Sequence, residues 1–308
     1  MKRLVFLIAA VVLSALSVNV LAQGTGDEPS AGSIHKYRVN SSDGINHDGD
    51  SNGHVGNEYT WWVASISDLN TPLAQTDFTV ESGVYNSATV DSFSIGIKWN
   101  ASAVGDTFFV VVKETDPNGV LCSNIKAQPV VPQNNFKLDL VALDAVGSEG
   151  DSLSRCAPDI ELSSNGLTVV YDYGVDTVMF KLTARDIYSG WSFGDAYAWT
   201  NQGNTSVIAT EYRVGTGGWS SSNPSTVPAN ANGTEDVYIR LALDNGDTSG
   251  SAEEGLSVQT IKLTLSNVED EAGNDAVIYN SNDQDITSYP VQYQVIKARP
   301  TTSGIDFN

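Results

Sequence analysis

The residues best suited to chemistry lie in one short run, Asn46-His47-Asp48-Gly49-Asp50-Ser51-Asn52-Gly53-His54. Asp48, Asp50 and Asn52, two apart and followed by Gly53, match the opening of a calcium loop. In such a loop alternate side-chain oxygens converge because the chain wraps the ion, and the glycine permits the sharp turn. The match then lapses. A closing bidentate glutamate belongs at position 59, where Tyr59 stands, and Glu58 is one residue early. Asp-Gly and Asn-Gly also serve ordinary turns, so a calcium site at Asp48, Asp50 and Asn52 and a plain turn both stand as readings. His47 and His54 flank the run, and a zinc or copper site there would need a third nitrogen or sulfur ligand, for which His35 is the one histidine left.

Two further acidic stretches offer hard oxygen ligands: Asp244, Asn245, Asp247, Glu253 and Glu254, then Glu269, Asp270, Glu271, Asn274 and Asp275. Neither has ordered ligand spacing, and charge at a sheet edge also guards against edge-to-edge pairing. Tyr188, Trp191, Trp199 and Trp219 are candidate stacking residues for a sugar, set against the commoner use of such rings in a core. Enzyme chemistry is poorly supplied. All three histidines precede residue 55, Cys122 and Cys156 read as structural, and no glycine-rich phosphate loop leads into a helix. Acidic pairs for glycoside hydrolysis are available among 37 carboxylates, but nothing singles one out.

The elements that must position these residues are strands. Short runs rich in Val, Thr, Tyr, Phe and Ile alternate with turns of Gly, Asn, Asp, Ser and Pro, and no sustained 3.6-residue apolar repeat occurs. The pattern predicts strands at 35–40, 59–66, 77–81, 92–99, 107–113 and 120–131. A second set is predicted at 136–143, 168–173, 177–184, 207–214, 236–243, 258–266 and 291–298. Within 92–99, Phe93, Ile95, Ile97 and Trp99 share one face. Residues 187–199 break the spacing and read as a long loop or twisted hairpin. Pro129, Pro132 and the polar run Gln133-Asn134-Asn135 mark a boundary. The fold class expected is all-β: two immunoglobulin-like (PKD-like) antiparallel β-sandwich domains in tandem, 33–131 and 136–298, joined by a linker at 132–135.

The ends of the chain bear on location. Lys2 and Arg3 precede the uncharged apolar run Leu4–Val18, and Val20 and Ala22 form a small-residue cleavage pattern before Gln23. This reads as a signal peptide over 1–22, too short for a membrane span. A flexible leader is expected at 23–32 and a tail at 299–308, and the mature protein is expected to be exported, to the periplasm, the outer surface or the medium. The formal charge of −21 repels phosphate backbones and anionic lipid, so the expected partners are a protein or a glycan, with no nucleic acid and no membrane span. Export would permit a disulfide between Cys122 and Cys156, worth roughly 3–4 kcal/mol in the chain-entropy model; two separate buried thiols are the alternative.

The first half resembles the PKD-like and immunoglobulin-like modules of exported Bacteroidetes proteins. The residues that carry this are His35-Lys36-Tyr37-Arg38-Val39, Tyr59-Thr60-Trp61-Trp62-Val63, Ile97-Lys98-Trp99-Asn100, Val110-Val111-Val112-Lys113-Glu114 and Cys122-Ser123-Asn124. The second half is similar to a bacterial immunoglobulin-like domain around Val268-Glu269-Asp270-Glu271-Ala272-Gly273-Asn274. The resemblance implies adhesion, surface assembly, gliding or secretion-related roles, and transfers no catalytic residue. The expectation is a non-catalytic exported binding or structural protein with no certain cofactor, calcium being the one candidate. A carbohydrate-binding accessory protein is the alternative, and an undetected hydrolase the third.

Overall fold

The structure, a computed structural model, describes residues 27–39, 54–117, 122–144, 147–150, 152–156, 159–166, 168–200, 205–230, 233–249, 259–279, 285–286 and 291–297. The described residues are all-β, with a single 3-10 turn at Ala101–Ala103 and no α-helix. The chain divides into two compact units between Gln133 and Asn134.

The first unit carries β1 (Ile34–Arg38), β2 (Glu58–Ser65), β3 (Phe78–Ser82), β4 (Thr89–Val90), β5 (Ser94–Trp99), β6 (Phe108–Thr115) and β7 (Ser123–Val130). They form two antiparallel sheets, β1-β5-β3 and β4-β2-β6-β7. Alternation explains the layering, since every second side chain of a strand faces the same way. Ile95, Ile97 and Trp99 of β5 and Phe78 of β3 meet Tyr59, Trp61 and Val63 of β2 and Phe108 and Val110 of β6 in one buried cluster. Two sheets closed over such a core make a β-sandwich of immunoglobulin-like layering. Each large apolar side chain buried there contributes about 1.5–3 kcal/mol.

Asp27–Gly32, expected as part of a flexible leader, is instead held in place. It runs parallel to the chain just past β7, with Val131 N donating to Asp27 O (2.8 Å), Gln133 N to Pro29 O (2.9 Å) and Ala31 N to Gln133 O (2.9 Å). Ser30 and Ala31 are buried. Composition suggested mobility, but main-chain pairing does not depend on side-chain polarity.

The second unit comprises Asn134–Asn230 and Thr234–Asn308. Its strands are β8 (Lys137–Leu143), β9 (Glu149–Gly150), β10 (Ser152–Cys156), β11 (Glu161–Asn165), β12 (Thr168–Asp172), β13 (Val175–Arg185) and β14 (Trp191–Thr200). They continue with β15 (Ser206–Val214), β16 (Thr234–Asp244), β17 (Asp247–Ser249), β18 (Gln259–Asp270), β19 (Val277–Tyr279), β20 (Asp285–Ile286) and β21 (Val291–Lys297). A seven-stranded sheet, β15-β16-β13-β8-β19-β20 with β9 added to β8, packs on a four-stranded one, β10-β21-β18-β14; a small sheet β11-β12-β17 lies apart from these. Strict alternation fills the core: Val178, Phe180, Leu182 and Ala184 from β13, Val237, Ile239, Leu241 and Leu243 from β16, and Ile261, Leu263 and Leu265 from β18 are all buried. Two pairings, β8–β19 and β10–β21, are parallel. This departs from the wholly antiparallel expectation, because each joins strands far apart in sequence, whose direction no hairpin dictates.

Residues 191–199, expected as loop or twisted hairpin, belong to the regular strand β14. Its register against β18 shifts between Ser192 and Gly194. A Cβ on Gly194 would lie 2.6 Å from Ser266 Oγ, so the glycine lets β18 come close at the irregularity. The extra residue lies on β18, where Asn267 takes φ 49°; β14 itself keeps its alternation, with Trp191 and Phe193 buried and Tyr197 and Trp199 half-buried.

Candidate functional site

Asp48, Asp50 and Asn52 lie outside the described residues, as do His47 and residues 1–22. Among the described residues no three His, Cys, Asp or Glu side chains gather to hold a metal. Nor is any helix there long and apolar enough to cross a membrane. Asp270 serves its own turn: Oδ1 accepts from Ala272 N (2.9 Å) and Asn274 N (2.8 Å), and Oδ2 from Asn274 Nδ2 (2.9 Å). Cys122 and Cys156, the pair expected as a disulfide, are each free and exposed. One thiol precedes β7 in the first unit and the other ends β10 in the second, an arrangement that spacing in the sequence does not reveal.

One carboxylate in each unit gathers donors. In the first, Glu114 Oε1 accepts from Asn57 Nδ2 (2.7 Å) and Tyr59 OH (2.8 Å), and lies 2.8 Å from His54 Nδ1. Partial burial works against its charge, but the bonds from Asn57, Tyr59 and His54 outweigh this and hold the carboxyl below its usual range. Desolvation, then the bond to Glu114, pushes the Tyr59 phenol up. Asp91, in the left-handed region at φ 57°, supports the same end of the unit by accepting from Gly56 N at 2.7 Å.

In the second unit, Asp195 Oδ2 accepts from Tyr197 OH (2.6 Å) and Tyr212 OH (3.0 Å), and Oδ1 from Asn223 Nδ2 (2.7 Å). Burial and the neighbouring carboxylate push Tyr197 up and carry Tyr212 to about 12. Both clusters pair a charged acceptor with neutral phenol donors. The first also holds an imidazole, His54, exposed beside Glu114.

The four candidate stacking aromatics differ in how much ring they leave open. Trp191 is 1% exposed, packed on Phe136 and Phe193 in the core. Trp199 is half-buried against the same core and Tyr188 is half-buried. Trp219 is occupied: the guanidinium carbons of Arg213 and Arg240 lie 4.9 Å and 4.2 Å from its ring centre, and Arg213 also lies 4.2 Å from the Tyr238 ring. Arg240 Nε in turn donates to Glu211 Oε2 at 2.6 Å. The aromatic count suggested a sugar surface, but period-two burial and cation–π contacts account for Trp191 and Trp219.

The pentad Gly190-Trp191-Ser192-Phe193-Gly194 has the spelling of a serine-hydrolase elbow. An elbow needs a tight strand-to-helix turn that exposes the serine. Here the pentad enters and runs along β14, and Ser192 is half-buried within the strand.

A concavity of about 480 Å³ forms a seam in the first unit between β1 and β7. These are edge strands of the two facing sheets. Tyr37 and Val39 line it from the β1 side, Trp61, Val110 and Val112 form its floor, and Lys126, Ala127, Gln128 and Asp27 line it from the β7 side. Cross-strand register explains the polar wall. Lys126 stands opposite Val112 and Gln128 opposite Val110, so both point to the inner face of the sheet. Lys36 and Arg38, exposed on the outer face of β1, flank the mouth. Asp27 accepts from Gln128 Nε2. Tyr37, pushed up to about 12 mainly by burial, accepts from Trp99 Nε1 at 3.2 Å. None of these residues was singled out from the sequence as part of a site. The available signal was β7 itself, whose inward positions Asn124, Lys126 and Gln128 are polar where a closed sandwich would place apolar residues.

No family model and no curated protein matches the chain. Among solved structures, the C-terminal domain of the Streptococcus agalactiae antigen I/II polypeptide BspA aligns over 78% of this chain and 84% of its own, at 7% identity and TM-score 0.27. The secreted serine protease VesC of Vibrio cholerae aligns over 80% and 48%, at 9% identity and TM-score 0.20. The human desmocollin-1 ectodomain aligns over 79% and 34%, at 9% identity and TM-score 0.23. Superpositions this loose carry no argument about fold or function, and the architecture above stands on the strand pairing and cores alone.

Proposed function

We propose that this is a non-catalytic exported binding or structural protein, presenting β-sandwich surfaces to a protein partner in adhesion or surface assembly. One observation carries the reading. The concavity between β1 and β7 is bounded by two strand edges and an aromatic-aliphatic floor, with charges at its rim. That chemistry suits recognition of a polypeptide, through main-chain pairing and a few side-chain contacts. The two donor-rich carboxylates support the same reading, because each is engaged by local hydrogen bonds within its own unit. Calcium held by Asp48, Asp50 and Asn52 belongs to the proposal as a stabiliser of the loop before β2. Melting temperatures measured with calcium and with chelator test it, and an unchanged value counts against it.

Mild cross-linking of the mature chain in its native setting, followed by identification of the attached proteins, tests the main reading. Specific recovery of one or a few proteins supports it. Turnover in a broad screen of hydrolase substrates, lost on substitution of a single carboxylate, overturns it.

A further inference from the structure

The seam between β1 and β7 has three properties that together define what fits it. The first is a free main-chain edge. The parallel bonds made by Val131 N and Gln133 N point outward from the last strand. Alternation then places the N–H and C=O of Ala127 and Ile125 on the same outer edge, and among the described residues nothing pairs with β7 on that side. Pro129 falls in this outward series, where its missing N–H breaks no bond to β6.

The second property is charge. The chain has 16 basic residues against 37 acidic ones, yet Lys36, Arg38 and Lys126 meet at this seam with Asp27 as the one anion among its lining residues. The third is continuity. Asp27–Ala31 already adds a short strand to the same edge just beyond β7, so strand addition continues a pairing that exists.

We propose that the seam receives an extended acidic segment of a partner polypeptide, added as a strand to β7 with a carboxylate meeting Lys126. This rests on the reading of the protein as a binding module and names the chemistry of its partner. An inward-pointing lysine on an edge strand repels indiscriminate apolar strands. It admits one that brings a carboxylate to the same place, which is how a repulsive element gives specificity. Tyr37, Trp61 and Val112 supply the apolar contact for the alternate side chains. A polypeptide suits the edge better than a glycan, because the row of main-chain donors and acceptors repeats at the spacing of a strand.

Fluorescence anisotropy of two labelled ten-residue peptides tests the proposal on the mature protein. Both alternate Val and Thr with a charged residue, glutamate in one and lysine in the other. The expected result is saturable binding of the glutamate peptide alone, weakening as salt is raised. Lys126→Glu should reduce that affinity at least tenfold and bring on binding of the lysine peptide. Ala127→Pro, which removes an outward N–H and leaves the β6–β7 ladder intact, should weaken binding with little change in melting temperature. Lack of saturable binding by the glutamate peptide overturns the proposal, as does equal binding by wild type and Lys126→Glu. An acidic oligosaccharide that binds equally well to Ala127→Pro reassigns the seam to glycans and also overturns it. So does a concentration-dependent dimer, seen in sedimentation, that Lys126→Glu dissociates. A partner captured equally by wild type and Lys126→Glu removes the seam from the account and leaves the proposed function standing.

Discussion

Tyr59 and Glu114 stand opposite each other on β2 and β6, and the phenol donates to Glu114 Oε1 at 2.8 Å. Tyr59 is fully buried, so removing its hydroxyl takes a hydrogen bond from a charged acceptor with no easy replacement. Tyr59→Phe should lower the stability of the first unit by about 1.5–3 kcal/mol, read as a shift in the urea midpoint at unchanged slope.

The same pair sets an acid limit. The Glu114 carboxyl is held below its usual value of 4.5 in the folded protein. Its contribution is therefore complete above the unfolded value and lost as pH falls through the folded one. Glu114→Gln should be less stable than wild type at pH 7 and should lose less on going from pH 5 to pH 3. Thermal melts across that range check both signs.

His35 acts in the opposite sense. Burial, only partly offset by the Ser30 backbone bond, lowers its pKa from 6.5. As pH falls below that value the unfolded chain takes up a proton before the folded one does, so stability declines until folded His35 also titrates. His35→Gln should flatten the melting-temperature profile between pH 7 and pH 5.

The two tryptophans first read as stacking residues should separate by their roles. Trp191→Ala empties a core position and should cost about 3–5 kcal/mol. Trp219→Ala removes two guanidinium contacts, each worth about 0.5–1 kcal/mol at an accessible site, and should cost far less. Chemical unfolding of the two variants measures the difference.

Thr205 links two buried amides: Gln259 Nε2 donates to Thr205 Oγ1 at 2.7 Å, and Thr205 Oγ1 to Asn245 Oδ1 at 3.1 Å. Thr205→Val keeps the volume and cuts both bonds, and should destabilise by about 1–3 kcal/mol because polar groups are left buried without their partner. Denaturant unfolding against wild type gives the value.

The all-β architecture was legible because period-two burial repeats so cleanly. Phe180 and Leu182, or Ile239 and Leu241, announce their strands by alternation alone, and the predicted 177–184 and 236–243 fall inside β13 and β16. What escaped was set by contacts that alternation does not encode. Gly190 and Gly194 hid β14, because glycines so close together read as turns although Trp191, Phe193, Tyr197 and Trp199 keep a period of two. Strands as short as β4 and β20 are too brief to show a period, and β11 exposes every side chain, so no apolar face marked it. The seam escaped for a related reason. Lys126 and Gln128 read as ordinary surface residues until the pairing of β6 with β7 turns them inward.

Trp219 lies between Arg213 and Arg240, whose strands are neighbours in the seven-stranded sheet. The indole covers two like charges that project from one face of the sheet and acts as a rivet for the chain that follows β15. The segment Gly215–Gly218 is thereby anchored at both ends, by β15 and by the ring. Added length there would bulge into solvent without disturbing the sheet, provided the indole returns to its slot. Insertions in this part of the molecule are thus best accommodated at those few positions, with the charge pattern of the sheet beneath unchanged.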